Sequence, residues 1–261
     1  MPALMGQPRD PRFAAAAPTA DGWFDAPVAA HYDESSDHMF APEVVEPVVD
    51  FLAELAGEGA ALELGIGTGR IALPLARRGV PVHGIDMSQA MVARMRAKPG
   101  GAGVRVTIGD FATANVDGSF SVAYLVFNTI MNLTTQAEQV ACFRNVAAHL
   151  EPGGTFVIEV IVPGLRRLPP GERFVVFDFS ARHWGIDEYD VANQALISHH
   201  FELVSNSIEK SSGPFRYVWP SELDLMAELA GMRLRDRWES WKREPFTSDS
   251  PAHVSVWEKA E

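Results

Sequence analysis

Three glycines at alternate positions follow a short apolar run, and this feature limits what the chain can fold into more than any other. Residues 60–64 read Ala-Ala-Leu-Glu-Leu, and Gly65, Gly67 and Gly69 follow before a helical pattern begins. An apolar run this short is typical of a buried strand in a parallel sheet. Alternate glycines let the backbone turn sharply and approach a bulky ligand, because no Cβ intrudes. The next helix presents N–H groups and the positive end of its dipole. The sequence therefore predicts a strand, a loop and a helix around a nucleotide-type ligand.

The spacing of the glycines separates two kinds of nucleotide site. A dinucleotide site carries glycine at the first, third and sixth loop positions, and the last of these lets the helix pack closely on the strand. Counted from Gly65, the sixth position here is Arg70. Asp86 ends a second predicted strand about 20 residues after Gly65, the usual distance to a ribose-binding acid. A carboxylate can accept hydrogen bonds from both ribose hydroxyls. We therefore expect Asp86 to bind a ribose rather than to cap the next helix, for which Ser88 is available.

Further polar residues follow the ends of the later strands. Asp110 and Phe111 come directly after the third predicted strand. Residues 120–127 form a continuous apolar run, which is typical of a strand buried on both faces of its sheet. Asn128 and Asn132 lie in the loop that follows this run. Because ligands of open α/β sheets bind at the carboxyl ends of the strands, we expect these four side chains to lie near the ligand.

Together these motifs resemble the class I S-adenosylmethionine-dependent methyltransferases. The resemblance is carried by the acid and glycines of residues 63–69, by Asp86, by Asp110 and by the turn Glu-Pro-Gly-Gly at residues 151–154. It covers residues 60–162 strongly and the C-terminal part moderately. It implies an α/β fold, Rossmann-like and doubly wound, with a mostly parallel seven-stranded sheet. It also implies an enzyme that transfers the methyl group of S-adenosyl-L-methionine.

The resemblance assigns roles to individual residues of the cofactor site. The acid after the second strand accepts the ribose hydroxyls, and the residue that follows it lies against the adenine. The acid after the third strand accepts a hydrogen bond from the adenine amine, and the next residue covers the ring. The predicted cofactor-binding residues are Glu63, Gly65, Gly67, Gly69, Asp86, Met87, Asp110, Phe111 and Asn128.

The chain divides into five predicted segments. Residues 1–20 are rich in proline and alanine, and we expect a mobile tail there. Residues 21–58 hold a ring-rich block, interpreted as a lid, and a helix, while residues 59–163 form the cofactor-binding core. Short β-branched and aromatic runs in residues 164–219 predict an inserted antiparallel β-lobe on the substrate side. Residues 220–261 supply a helix and two closing strands of the core.

The resemblance implies a cofactor whose methyl group is already activated. Methyl transfer from such a cofactor needs few catalytic side chains. The protein aligns donor and acceptor and excludes water, and a base is needed only if the acceptor must lose a proton. Tyr32 stands where small-molecule members of the family place a lid tyrosine. His199 and His200 point to opposite faces of one predicted strand, so at most one can easily reach the acceptor. The predicted catalytic residues are Tyr32, Asn132, His199 and His200.

Charge and composition limit the partners. The 261 residues hold 34 acidic and 22 basic side chains, a formal charge of −12, and such a field repels a nucleic-acid backbone. No apolar run approaches the length of a membrane span, and the N-terminus lacks the pattern of a signal peptide, so we expect a cytoplasmic protein. A single cysteine, Cys142, excludes an intrachain disulfide and a CxxC metal site. The expected partner is a small-molecule methyl acceptor, with no metal, nucleic acid or membrane.

Two other interpretations stay open at this point. A non-catalytic protein that binds S-adenosylmethionine for regulation would keep the same motifs. An NAD(P)-dependent oxidoreductase would share the sheet, but Arg70 and the Pro-Gly-Gly turn oppose it. The Asn132 position is often histidine in sugar-amine N-methyltransferases, and the asparagine here weakens that substrate assignment. The sequence predicts an acceptor of metabolite or natural-product size, methylated on oxygen or nitrogen.

Overall fold

The computed structural model describes residues 24–260, except for the side chains of residues 166 and 167. The predicted tail, residues 1–20, lies outside the described part. The described residues form two compact units: residues 163–218 build one of them, and residues 24–162 together with residues 219–260 build the other. We refer to them as the lobe and the core.

The described residues form six α-helices and eleven strands, labelled in chain order. The helices are Ala26–Ser35 (α1), Pro42–Ala56 (α2), Ala72–Arg77 (α3), Gln89–Ala97 (α4), Gln136–His149 (α5) and Pro220–Leu229 (α6). The strands are Ala61–Leu64 (β1), Val82–Asp86 (β2), Arg105–Ile108 (β3), Phe120–Leu125 (β4), Leu150–Ile161 (β5), Phe174–Phe179 (β6), His183–Asp190 (β7), Ala195–Val204 (β8), Ser207–Arg216 (β9), Met232–Trp238 (β10) and Ala252–Lys259 (β11). No helix of the described part is long and apolar enough to cross a membrane.

The core contains the predicted seven-stranded sheet, in the order β3-β2-β1-β4-β5-β11-β10. Neighbouring strands from β3 to β5 run parallel, and β11 runs antiparallel to both β5 and β10. The chain moves outward from β1 to β3 and then returns to place β4 on the other side of β1. That reversal leaves a crevice beyond the carboxyl ends of β1 and β4, which is where open α/β sheets bind ligands.

Local sequence rules explain most of the helix ends in the core. Thr135 and Glu138 have the spacing of a capping box, and this box is present on α5, with the Thr135 hydroxyl accepting from the Glu138 N–H and the Glu138 carboxylate accepting from the Thr135 N–H. Helix α3 is only six residues long and contains Pro74, as expected from the missing N–H and the steric bulk of proline. From the helical spacing of the apolar residues between 44 and 55, we expect Pro47 in or near the first turn of α2. This expectation is wrong, because Pro42 occupies the first turn and Pro47 lies inside the helix.

The lobe is a four-stranded antiparallel sheet in the order β6-β7-β8-β9. The β-branched and aromatic runs of this segment lie at residues 174–179, 195–204 and 214–219, and each of them predicts an antiparallel strand. The first two runs form β6 and β8. Strand β7 was not predicted. The third run lies only partly in β9, which ends at Arg216. Strand β7 was missed because acidic side chains interrupt its apolar alternation.

Gly84 of β2 sets how closely the glycine loop approaches the sheet. A Cβ at this position would lie 2.3 Å from Cδ1 and 2.8 Å from Cβ of Ile66. The Ile66 side chain is buried in that space, and the N–H groups of Gly65 and Ile66 both donate to the Ile85 carbonyl. The missing side chain of Gly84 therefore allows the loop to rest against β2.

We predict that Gly84→Ala destabilises the core by about 1–3 kcal/mol, the usual range for an added methyl group in a packed interior. The added Cβ must push Ile66 and the loop away from the sheet. Urea unfolding at equilibrium measures the change. Gly103→Ala is the matched control, since its Cβ would meet nothing within 4 Å. Equal stability of the two variants would contradict the prediction.

Candidate active site

An open cavity lies beyond the carboxyl ends of β1 and β4 in the core. Three segments line it: the glycine loop after β1, the turn after β4 and one residue of α1. The lining residues are Tyr32, Glu63, Gly65, Ile66, Gly67, Thr68, Arg70, Ile71, Val126, Phe127 and Thr129.

The glycine loop has a backbone that other residues adopt poorly. Gly65, Gly67 and Gly69 have φ angles of +70°, +54° and +78°. At Gly65 the surroundings are also too close for a side chain, since a Cβ would lie 2.7 Å from Cγ2 of Thr129. The loop can therefore present bare backbone to a ligand, as the alternate glycines predicted.

Asp86 connects the end of β2 to the glycine loop. Its Oδ2 accepts a hydrogen bond from the Gly67 N–H at 2.7 Å, and its Oδ1 accepts from the Ser88 N–H at 2.8 Å. Ser88 caps α4 by accepting from the Met91 N–H. Asp86 is therefore not the helix cap and is held at the loop, where the sequence analysis expected a ribose-binding acid.

Glu63 places a buried carboxyl group in the wall of the cavity. Burial raises the pKa of Glu63 to about 8, and this rise is opposed by the Tyr124 hydroxyl and by the positive charge of Arg70. The Tyr124 hydroxyl donates to Oε2 of Glu63 at 3.0 Å. A cation bound in the cavity would favour the ionised carboxylate and so gain a partner for its charge.

The N-terminal helix contributes Tyr32 to the cavity. Burial raises the pKa of Tyr32, and the neighbouring Arg70 partly offsets the rise. The phenol therefore stays neutral at physiological pH and can donate a hydrogen bond. The edge of the Phe24 ring packs on Tyr32, with the ring centroids 6.0 Å apart. The backbone carbonyl of Phe24 accepts from the Ser88 hydroxyl at 2.5 Å.

Three residues fasten α1 to the glycine loop, and none of the three was predicted from the sequence. Nζ of Lys98 lies 2.5 Å from Oδ2 of Asp33 and donates to the Thr68 carbonyl at 2.9 Å. The Thr68 hydroxyl donates to Oδ1 of Asp33 at 2.6 Å. We call Asp33, Thr68 and Lys98 the N-terminal clamp. No sequence motif marks it, because it joins residues up to 65 positions apart, but the acid directly after Tyr32 is the one available clue.

Three of the residues predicted to bind adenine follow β2 and β3. Met87 is 42% exposed, and Phe111 lies against the loop, with Cε1 at 4.0 Å from the position of a Cβ on Gly65. Oδ1 of Asp110 accepts from the Ala112 N–H at 2.8 Å. The three residues stand at the carboxyl ends of neighbouring strands but outside the cavity lining, and their roles stay predictions.

The two predicted asparagines lie in the turn after β4. Asn128 has a left-handed backbone, with φ at +61°, and its Oδ1 accepts from the Ile161 N–H at 2.8 Å. Its side chain thereby connects the end of β4 to the end of β5, while its neighbours Phe127 and Thr129 line the cavity. Asn132 ends the short 3₁₀ turn that follows and is partly exposed.

The two predicted histidines belong to the lobe and point to opposite faces of β8. Nδ1 of His199 lies 2.7 Å from the Ser212 hydroxyl, and its Nε2 lies 3.4 Å from Oε2 of Glu188. Nδ1 of His200 lies 3.0 Å from Nε2 of His183, and its Nε2 lies 3.3 Å from the Ser198 hydroxyl. Every ring nitrogen of both residues therefore has a partner within the lobe.

Comparison with known proteins identifies the family. The family model described as a methyltransferase domain matches residues 61–154. The structure of the CcbJ methyltransferase from Streptomyces caelestis is 35% identical and superposes with a TM-score of 0.82, over 95% of this chain and 100% of that one. The chain belongs to the class I S-adenosylmethionine-dependent methyltransferases. Its cofactor is therefore S-adenosylmethionine, and the oxidoreductase interpretation is set aside.

Two further relatives extend the comparison. The cypemycin N-terminal methyltransferase of a Streptomyces species is 28% identical over 203 residues, which cover 76% of this chain and 82% of that protein. The amino pentose methyltransferase CalS10 from Micromonospora echinaspora shares the fold, with a TM-score of 0.65 and 22% identity over 88% of this chain and 96% of that one.

The cavity of this methyltransferase fits its cofactor chemically. S-adenosylmethionine supplies a methyl group on a positively charged sulfur and carries an ammonium group as well. A buried carboxyl group, Glu63, stands in the wall to receive positive charge, and bare glycine backbone leaves room for a bulky ligand. Within the described residues, no group of three or more His, Cys, Asp or Glu side chains could hold a metal ion.

We predict that Asp86→Ala weakens binding of S-adenosylhomocysteine by about 1–3 kcal/mol, because a partly buried hydrogen-bond acceptor is lost. Asp86→Asn should retain part of the affinity, since one amide oxygen still accepts. Calorimetric titration measures both. Asp117→Ala removes the same charge from an exposed loop and is the control. Parent-like affinity of Asp86→Ala would remove the ribose role from this residue.

The N-terminal clamp yields a kinetic prediction. Lys98→Met removes a mostly buried ion pair and a hydrogen bond, worth together about 1–2 kcal/mol or a five- to thirtyfold change. We expect S-adenosylhomocysteine to dissociate faster by that factor in a stopped-flow displacement experiment. Arg94→Met is the matched control, because its partner Glu34 is exposed and 4.0 Å away. Identical release from parent and Lys98→Met would show that the clamp does not hold the ligand.

Proposed function

We propose that this methyltransferase transfers the methyl group to an amine nitrogen of a natural-product-sized acceptor, such as a short peptide or a modified metabolite. The observation that carries this proposal is the similarity to the cypemycin N-terminal methyltransferase, which spans most of both chains. Hydroxyl methylation is the second candidate, and it differs in the chemistry that it requires. A hydroxyl needs a base to become a nucleophile, whereas a neutral amine attacks with its own lone pair.

The residues around the cavity support an alignment role better than a base role. Tyr32 is a neutral phenol beside the glycine loop, and we propose that it orients the donor or the acceptor and excludes water. Asn132 is proposed to contact the acceptor from the turn after β4. His199 and His200, the predicted bases, already hydrogen bond within the lobe through both ring nitrogens. This supports an acceptor that does not depend on a histidine base.

The proposed cofactor contacts follow the strand ends of the core. We assign the ribose to Asp86, the faces of the adenine to Met87 and Phe111, and the adenine amine to Asp110. Asn128 is assigned to the turn that borders the cofactor. The position of these residues at the carboxyl ends of β2, β3 and β4, along one edge of the sheet, supports the assignment.

The lobe is proposed to provide acceptor specificity. It is a separate compact unit inserted after β5, and the minimal cofactor-binding sheet is complete without it. Longer insertions into a compact domain usually carry function. In this proposal the core binds the methyl donor and the lobe provides the selectivity for the acceptor.

A panel of acceptors tests the proposal. Short peptides with free N-termini and amino sugars are incubated with the enzyme and methyl-labelled S-adenosylmethionine, each beside its N-acetylated counterpart. We expect label on one class of free amine and none on its acetylated form, with Asp86→Ala strongly reduced. Label on the acetylated members would favour hydroxyl methylation. Absence of transfer to every member, by an enzyme that binds S-adenosylhomocysteine, would overturn the amine proposal for these acceptor classes.

A further inference from the structure

One face of the lobe sheet carries an uninterrupted chain of hydrogen-bonded side chains. Asp178 of β6 bonds Nδ1 of His183 through its Oδ2, and Nε2 of His183 lies 3.0 Å from Nδ1 of His200. Nε2 of His200 lies 3.3 Å from the Ser198 hydroxyl, and Ser198 hydrogen bonds Asp187. We call these five residues the relay chain.

The strand register explains why these side chains meet. Gly185 pairs with His200, and Asp187 pairs with Ser198, so alternate residues of β7 and β8 share this face. Gly185 has no side chain, and the Phe177 ring fills the space, since a Cβ there would lie 2.2 Å from Cε2 of Phe177. The same ring packs against His200, with the centroids 5.4 Å apart. One side of the histidine pair is therefore shielded from water.

The relay chain needs one proton more than its neutral histidines and hydroxyl supply. Its five groups are joined by four hydrogen bonds, and each bond needs one proton. Two neutral imidazoles and one hydroxyl supply three protons, and ionised Asp178 and Asp187 supply none. The fourth bond forms only when the chain takes up a single further proton. That proton completes every bond whether it resides on Asp187, on His200 or on His183.

The surroundings of Asp187 and His200 bring the proton affinities of the carboxylate and the imidazole closer together. Burial raises the pKa of Asp187 to about 6, against the opposing hydrogen bond from Ser198 and the charge of His199. Burial also lowers the pKa of His200, helped by His183 and His199. Ordinary aspartate and histidine differ by about 2.6 pH units, and this difference is reduced here. A proton shared along the chain requires such matching.

Other charged groups act on the histidine pair from the neighbouring strands. Asp178 and Glu202 raise the proton affinity of His200, whereas His199 on the same strand lowers it. On β9 the residue paired with His200 is the neutral Ser211, and Glu209 pairs with Glu202. The Asp178 side chain is 41% exposed, while Ser198 is buried. The chain thus runs from the exposed Asp178 carboxylate through the buried Ser198 hydroxyl to Asp187.

We infer that the relay chain is a one-proton site, in which a single added proton is shared along one face of the lobe sheet between the Asp187 end and the Asp178 end. With that proton bound, four side-chain hydrogen bonds join β6, β7 and β8. Without it, one of the four bonds is missing, so the chain is a pH-sensitive fastening of the lobe strands.

Histidine NMR on the ¹⁵N-labelled full-length protein tests the site without any acceptor. Spectra are recorded across histidine's ordinary range, from about pH 5 to 8, and we expect the chain to take up one proton in all, seen as a single step in the His200 resonances. Assignment uses the spectra of variants in which each histidine is replaced in turn. Two separate midpoints in this range, with two protons taken up, would overturn the relay.

Two isosteric variants distinguish a proton shared along the chain from a direct electrostatic effect of each carboxylate on the histidines. In Asp187→Asn the amide can donate to Ser198 and supply the fourth proton permanently, so the pair should stay neutral throughout this pH range. In Asp178→Asn the amide oxygen still accepts from His183, so the one-proton step should persist with a lower midpoint. Electrostatics alone predicts the reverse order, because Asp178 contacts a histidine directly and Asp187 does not. A larger effect of Asp178→Asn would therefore overturn the inference, while the acceptor panel decides the proposed function independently.

Discussion

The hydrogen bonds of Asp86 are the interaction on which the cofactor cavity depends. This carboxylate joins the end of β2 to the Gly67 N–H and to the start of α4. The same loop rests on β2 because Gly84 leaves room for Ile66. A parallel sheet whose strand order reverses at β1 provides the crevice, and these contacts fix the loop that lines it. The cavity is thus a property of the junction between two strands rather than of any single residue.

The charges around the cavity are arranged so that the empty protein is not at its electrostatic optimum. Glu63 is buried with a raised pKa, and Tyr32 is held neutral by burial. Arg70 donates to the Met39 carbonyl at 3.3 Å and lies over the Phe127 ring, so its charge is directed partly to the N-terminal segment. A site built for a positively charged ligand keeps its acid protonated until that ligand arrives.

Sequence reasoning found the parts of the fold that are encoded locally. Alternate glycines, an acid at the end of β2 and the capping box of Thr135 and Glu138 each depend on residues close together in the chain. Strand β7 was missed because its acids look solvent-exposed in sequence. In the structure Glu188 is buried and paired with Arg173 at 3.2 Å and His199 at 3.4 Å.

Most of the contacts that support the candidate site join residues far apart in the chain, so they could not be predicted from the sequence. The N-terminal clamp joins Asp33, Thr68 and Lys98, and no local pattern marks any of the three as partners. The relay chain likewise depends on register between three strands, which the sequence does not state. Residues that fold a loop are therefore easier to predict than residues that fasten one segment to another.

The raised pKa of Glu63 couples ligand binding to proton release. The free protein holds a proton on this carboxyl group below about pH 8, and a cation bound beside it would favour the ionised form. The displaced proton passes to the buffer, so the heat of binding would include the buffer's enthalpy of ionisation. Affinity would rise with pH until the carboxyl group is already ionised in the free protein. The same acid makes the empty fold less stable as pH rises from 4.5 through 8, because only the folded state retains the proton there.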